Sequence, residues 1–213
     1  MPERISRDFP LFPLGIVALP GESIPLHIFE ARYRRMIERC LRADAGSLEG
    51  QFGIVWLSDQ ELKPVGCACE IESVLERTED GHMNILARGT RPFRLLARQD
   101  ELAYPAGTVE FLADSEEQPD QEAQSGAREL YDDLLEQATD RSLSAEELAE
   151  LDAYAMAATV EFGVDAKQEL LELRSENARL RLLALLLRAA LKRLELVDRA
   201  AARARSNGKV RFG

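Results

Sequence analysis

The chain has 213 residues, 46% hydrophobic and 31% charged, with a formal net charge of −11. That length holds one large domain or two small ones with a real core, so neither disulfides nor metal are needed for stability. The acidic balance disfavours nonspecific binding to nucleic acid or to an anionic membrane surface.

From the N-terminus, "MPERISRDF" lacks the basic start and apolar run of a signal peptide. No stretch of about 18 uncharged apolar residues follows it anywhere, so no membrane span is expected. "IPLHIF" (24–29) reads as a short strand carrying Pro25. From Glu30 the period becomes helical, with Tyr33, Ile37, Cys40 and Leu41 recurring at threes and fours. Glu30 falls where a helix dipole favours an acid, and Arg34 is placed to pair with it weakly. Phe29, Tyr33 and Ile37 read as an apolar stripe pinning this helix, about 31–42, to the sheet. Pro25, His27, Glu30 and Arg32 therefore form a structural joint between strand and helix.

"FGIVWL" (52–57) and "VGCACEIESVLERT" (65–78) are strands, the second with Cys67, Cys69 and Ile71 on one face. Three cysteines cannot all pair internally, and "CAC" has the wrong spacing for a metal knuckle. Buried thiols in a reducing compartment, and a cytoplasmic location, are expected. Asp80-Gly81 signals a tight turn. "MNILARG", "RPFRLLARQDEL" and "AGTVEFLAD" read as three further strands. The prolines at 10, 13, 20, 25, 64, 92 and 105 all fall in this half, at places suited to strand ends and loops. Several short strands at this spacing predict a closed or nearly closed barrel over residues 1–113.

Residues 114–126 are polar and acidic and read as a linker or exposed loop. Beyond them the period is helical. Helices are predicted at about 127–138, from a capping box at Ser144 and Glu147 to about 162, from Asp165 as N-cap, and from Ser175 past Arg199. Residues 127–205 are expected to form a helical subdomain and 206–213 a flexible tail. Asp114–Glu150 holds 13 acidic and 2 basic residues, whereas Arg174–Arg211 holds 11 basic and 3 acidic. Leu173, Leu180, Leu187 and Leu194 stand seven apart, like a zipper seam. Ser175 starts a new helix after Leu173, and Leu182, Leu183, Leu185 and Leu186 widen the band, which favours packing within one chain. The oligomeric state stays open.

"LFPLGIVALPGESIPLHIFEARYRRMI" resembles the start of the N-terminal substrate-binding domain of the Lon protease. The resemblance continues through "FGIV", "VGCACEIESVLERTEDGHMNILARGTRPFRLL" and "YPAGTVEFL" to "KQELLEL" and "ARLRLLALLL", covering about Phe9 to Leu196. It implies an α+β fold, a small PUA-like β-barrel with one inserted helix followed by a C-terminal helical bundle. It also implies recognition of unfolded or tagged polypeptides without ATPase or peptidase domains, since the chain ends before either would begin. Two positions depart from the family: Leu19, where an aromatic residue is frequent, and Pro92, where an arginine is common.

No phosphate-binding loop, nucleophile elbow or zinc-protease helix occurs, and there are only two histidines, His27 and His82. No catalytic residue, cofactor or metal ion is expected. The expected function is a non-catalytic module binding unfolded or hydrophobic polypeptide segments, or a protease partner. Its expected surface is Leu19, Ile24, Leu26, Phe29 and Tyr33, although Phe29 and Tyr33 also suit a buried core. Two alternatives stand beside it. A PUA-like RNA binder would need a continuous basic, aromatic face. A small-molecule enzyme would need a polar pocket near His27 and Glu30.

Overall fold

Five strands close on themselves in this computed structural model, which describes residues 5–44, 46–59, 61–99 and 101–207. They are β1 (Ile5–Leu14), β3 (Gln51–Ser58), β5 (Val65–Arg77), β6 (Met83–Gln99) and β7 (Ala106–Phe111). The order β1-β7-β6-β5-β3 is antiparallel throughout. A parallel pairing of β1 with β3, Leu11 opposite Gly53 through Leu14 opposite Trp56, completes the ring. Closure removes the open edges that a sheet would otherwise have to protect. Inside lie Phe9, Leu11, Val55, Ala68, Phe93, Val109 and Phe111. Phe9 stands edge-on to Phe93 at 5.6 Å and to Phe111 at 5.5 Å, the geometry that ring quadrupoles favour. The Phe93 ring lies over Gly53 and Gly66; a Cβ on Gly53 would fall 2.5 Å from its Cζ.

β5 and β6 continue past the barrel as a two-stranded ribbon, and β2 (Ser23–Ile28) adds to it along β6. Three register shifts along β5, between Ala68 and Cys69, Ile71 and Ser73, and Val74 and Glu76, bend the ribbon out of the barrel wall. The expected strands at "MNILARG" and "RPFRLLARQDEL" are one strand, β6. Pro92 sits within it beside the bulge at Thr90, where a missing N–H is tolerated. The Asp80-Gly81 turn connects β5 to β6, with Gly81 at φ +82. β4 (Glu61–Leu62) makes a short hairpin on β3.

Between β2 and β3 comes α1 (Ala31–Arg42), burying Tyr33, Met36, Ile37 and Cys40 at helical spacing. Phe29 does not join this stripe: it is 54% exposed. Glu30 is the N-cap residue and pairs with Arg32 at 2.8 Å, and Arg34 donates instead to the Asp80 carbonyl at 2.7 Å.

The chain divides into two compact units, the first comprising residues up to Glu116 with Tyr154–Arg174, the second Glu117–Ala153 with the residues from Ser175 on. The helical region is thus shared between units rather than contiguous over 127–205. In the first unit, α4 (Ala153–Ala157) and α5 (Val164–Glu172) accompany the barrel. Gln168 of α5 donates to the Val65 carbonyl at 3.0 Å, Lys167 pairs with Glu22, and Tyr154 donates to the Leu170 carbonyl at 3.3 Å. Gly163 is the N-cap of α5, and Asp165 lies in its first turn.

The second unit contains α2 (Gln121–Thr139), α3 (Ala145–Ala149) and α6 (Glu176–Asn207). α2 begins six residues earlier than the apolar pattern indicated, because Asp120 caps it by accepting from the Ala123 N–H at 3.0 Å. α2 and α6 run side by side in the same direction: Asp120 pairs with Arg181, and Gly126 lies level with Arg188. The expected helix from Ser144 to 162 is broken after Ala149. Arg128 donates to the freed carbonyls of Ala149 (2.7 Å) and Leu151 (3.1 Å), and Glu176 accepts the Ala153 N–H at 2.7 Å. α6 runs unbroken through Asn207; the rest of the expected tail, 208–213, lies outside the described residues.

Candidate functional site

Beside the parallel pairing of β1 with β3, and next to the start of α1, lies an open groove of about 400 Å³. Leu11, Pro13 and Leu14 come from β1, Leu57 from β3, Leu62 from β4, and Pro105 and Ala106 from the start of β7. Tyr33 forms part of the floor. Its ring packs on Phe12 at 4.2 Å, and burial raises the phenol's pKa against the lowering effect of Arg32, so the hydroxyl stays protonated. Glu30, Arg32 and Arg98 add charges of both signs. The Arg32 guanidinium lies 4.6 Å over the Tyr33 ring while paired to Glu30, which fixes a flexible side chain along the apolar floor. Leu57 is 40% exposed on one side. A smaller depression lined by Arg32, Leu102, Ala103, Tyr104 and Pro105 continues past Arg32 and Pro105, which the two share.

An apolar floor with a few fixed polar groups suits an aliphatic or aromatic side chain carried on an extended backbone. The thiols are in a different environment. Burial pushes Cys40 up to about 11, and Cys69 is raised well above the ordinary thiol value by its hydrogen bond to Cys67 and by burial. All three cysteines are buried and free. Among the described residues no three His, Cys, Asp or Glu side chains are gathered as ligands for a metal ion. No helix among them is long and apolar enough to cross a membrane.

The sequence-expected surface is dispersed. Leu19, Ile24 and Leu26 are buried, Ile24 and Leu26 alternating with exposed residues along β2. Leu19 carries its backbone against Gly89, where a Cβ would fall 2.1 Å from the Leu19 carbonyl oxygen. Tyr33 reaches the groove, as do Glu30 and Arg32 of the joint, whereas Phe29 faces solvent elsewhere. Pro25 and His27 lie on the exposed face of β2. His27 Nδ1 hydrogen-bonds Asn84 Oδ1 at 2.7 Å, and Asn84 Nδ2 donates to Glu76 at 2.7 Å, which leaves Oδ1 as the acceptor. The groove residues from β1, β3, β4 and β7 carry no local signal, because only the β1–β3 pairing gathers them.

The family model for the ATP-dependent protease La (LON) substrate-binding domain matches residues 8–189. Among solved structures, a Lon N-terminal domain protein from Xanthomonas campestris is similar at 27% identity and a TM-score of 0.60, over 81% of this chain and 94% of that one. The N-terminal domain of Mycobacterium avium complex Lon protease shares the fold at 23% identity and a TM-score of 0.58, over 82% of this chain and 95% of that one.

Proposed function

We propose, from the premise that this chain belongs to the ATP-dependent protease La (LON) substrate-binding domain family, that it is a non-catalytic module holding unfolded polypeptide segments in the groove at the barrel rim. The observation that carries this reading is the seat itself: Leu14, Leu57, Leu62 and the Tyr33 ring around an open volume of about 400 Å³. A folded protein keeps such side chains of its own inside, so the groove selects chains that expose them. Arg32, Arg98 and Glu30 can meet the polar backbone of a bound segment without demanding one sequence. Affinity then rests on a few apolar anchors.

The test is fluorescence anisotropy with a permanently unfolded, apolar-rich labelled peptide. Leu57→Glu puts a charge into the seat at a half-exposed position. It should weaken binding about tenfold, roughly 1.4 kcal/mol. Unchanged affinity in Leu57→Glu, or equal affinity for a folded protein of the same composition, would refute the reading.

A further inference from the structure

The ribbon outside the barrel carries a second surface, independent of the groove. Cross-strand rows place Pro25, Leu86 and Ser73 side by side, then His27, Asn84 and Glu76, all on one outer face. A regular strand would stop there. Two of the β5 register shifts leave Glu72 and Leu75 without cross-strand partners and turn both onto that same face. Glu72 accepts from Ser23 of β2 at 2.9 Å, and Leu75 lines a groove of about 650 Å³ with Pro25, His27, Glu76 and Asn84. The outcome is an exposed leucine, 61% accessible, fixed among carboxylates.

The face ends in an aromatic corner. Phe29, 54% exposed, stacks on His27 at 5.7 Å, and the His82 ring stands edge-on to His27 at 5.8 Å. His82 Nδ1 lies 3.4 Å from Asp80, held in turn by Thr78. Glu70, Glu72, Glu76 and Asp80 thus surround Pro25, Leu75 and Phe29. The basic groups are fewer: Arg88 stands opposite Glu70, Arg77 closes β5, and Arg34 is committed to the Asp80 carbonyl. Pro25 in the middle of β2 has no N–H to offer, which blunts that edge against an added strand.

We propose that this outer face of the β2–β6–β5 ribbon docks a polypeptide segment that mixes basic and apolar residues. Its apolar side chains sit on Leu75, Pro25 and Phe29, and its Lys or Arg side chains reach Glu70, Glu72 and Glu76. The segment lies across the face rather than extending the sheet. The charge complementarity selects the occupant, because an acidic apolar segment meets four carboxylates at once.

The test measures binding of two labelled peptides to the full chain by anisotropy. They share one apolar pattern, one with Lys and Arg between the apolar residues, the other with Glu and Asp. The basic peptide should bind about tenfold more tightly, and its affinity should fall as salt rises. Leu75→Ser and Glu76→Lys should each weaken it about fivefold or more. Glu146→Lys, the same charge change at an exposed position on α3, should change it by less than about twofold, separating this face from the overall negative charge. Leu75→Ser and Glu76→Lys should leave the groove's affinity for an uncharged apolar peptide unchanged, separating this face from the groove. Melting curves confirm the fold of each variant, and Phe29→Ser gives an independent probe of the apolar part. Equal binding of the two peptides, indifference to both Leu75→Ser and Glu76→Lys, or an equal loss in Glu146→Lys would overturn the proposal.

Discussion

Arg179 is 2% exposed, and its guanidinium meets Glu176 at 2.8 Å. Glu176 also takes the Ala153 N–H, so one carboxylate satisfies a buried cation and a freed backbone donor. Burial raises its pKa, with those two bonds pulling the other way. Removing Glu176 takes away one of the groups that compensate the buried Arg179 charge. Glu176→Ala should therefore destabilise the protein by about 3 kcal/mol in urea denaturation. Glu176→Gln keeps the acceptor for Ala153 and should lose less. An equal loss in both variants would show that the charge pair, not the backbone bond, carries the effect. Nothing near Arg179 in the sequence marks it as buried, since arginine is ordinarily a surface residue. The groove is a similar case. Tyr33 was legible as a helix-face aromatic next to the joint, but Leu57, Leu62 and Arg98 belong to strands whose meeting point no local pattern encodes. Phe29 shows the converse, because its helical spacing to Tyr33 and Ile37 suggested burial, yet it precedes the helix and points to solvent.

Elements with local start and stop signals were readable in advance. The Ser144–Glu147 capping box is present with both of its bonds, and the Asp80-Gly81 turn connects β5 to β6. Ser175 caps α6 through the Ala178 N–H at 3.0 Å, which puts Leu173 outside that helix and dissolves the zipper seam. Ser144→Ala should cost about 1 kcal/mol locally, visible as faster amide exchange in α3. What the pattern could not show were effects of distant partners. The break between α3 and α4 depends on Arg128 and Glu176, each more than 20 residues away. β6 reads through Gly89 because β5 pairs with it and the backbone of Gly21 and Glu22 bonds its other side, overriding glycine's usual role as a breaker. Packing inside the barrel gives a further test. Gly53→Ala forces a methyl into the Phe93 ring and should cost about 2 kcal/mol, part of which Phe93→Leu in the same chain should restore. Additive losses would mean that the ring is not the obstacle.

Across the molecule, the acidic stretch and the basic helix are arranged for the helix ends rather than spread at random. The N-termini of α2 and α6 lie together, and Glu117 accepts the Asn177 N–H at 2.9 Å and the Ser175 hydroxyl at 2.8 Å. Those bonds hold Glu117 below the usual carboxylate range; the Ala123 N–H, then Arg181, do the same for Asp120, and Ser144 for Glu147. A carboxylate depressed in the folded state adds stability above its unfolded pKa, and that contribution is lost as pH falls through the folded value. Glu176 is raised, so its contribution has the opposite sign: it is present at low pH and lost as pH rises through its folded value. With three groups against one, helix content should hold near neutrality and decline on acidification below about pH 4, with a flatter decline in Glu117→Gln; a rise in stability on acidification would contradict this. The barrel and the C-terminal helices were legible as classes because their periods differ, whereas their division into units was not, since α5 is held by Val65 and Glu22, about a hundred residues earlier or more, and α4 bonds α5 through Tyr154. The direct test of polypeptide capture at the barrel rim is an amide chemical-shift titration of the full chain with an unfolded, uncharged apolar peptide. Shifts should concentrate at Leu14, Tyr33, Leu57, Leu62 and Arg98. Shifts confined to other surfaces, or none up to about 1 mM peptide, would contradict it.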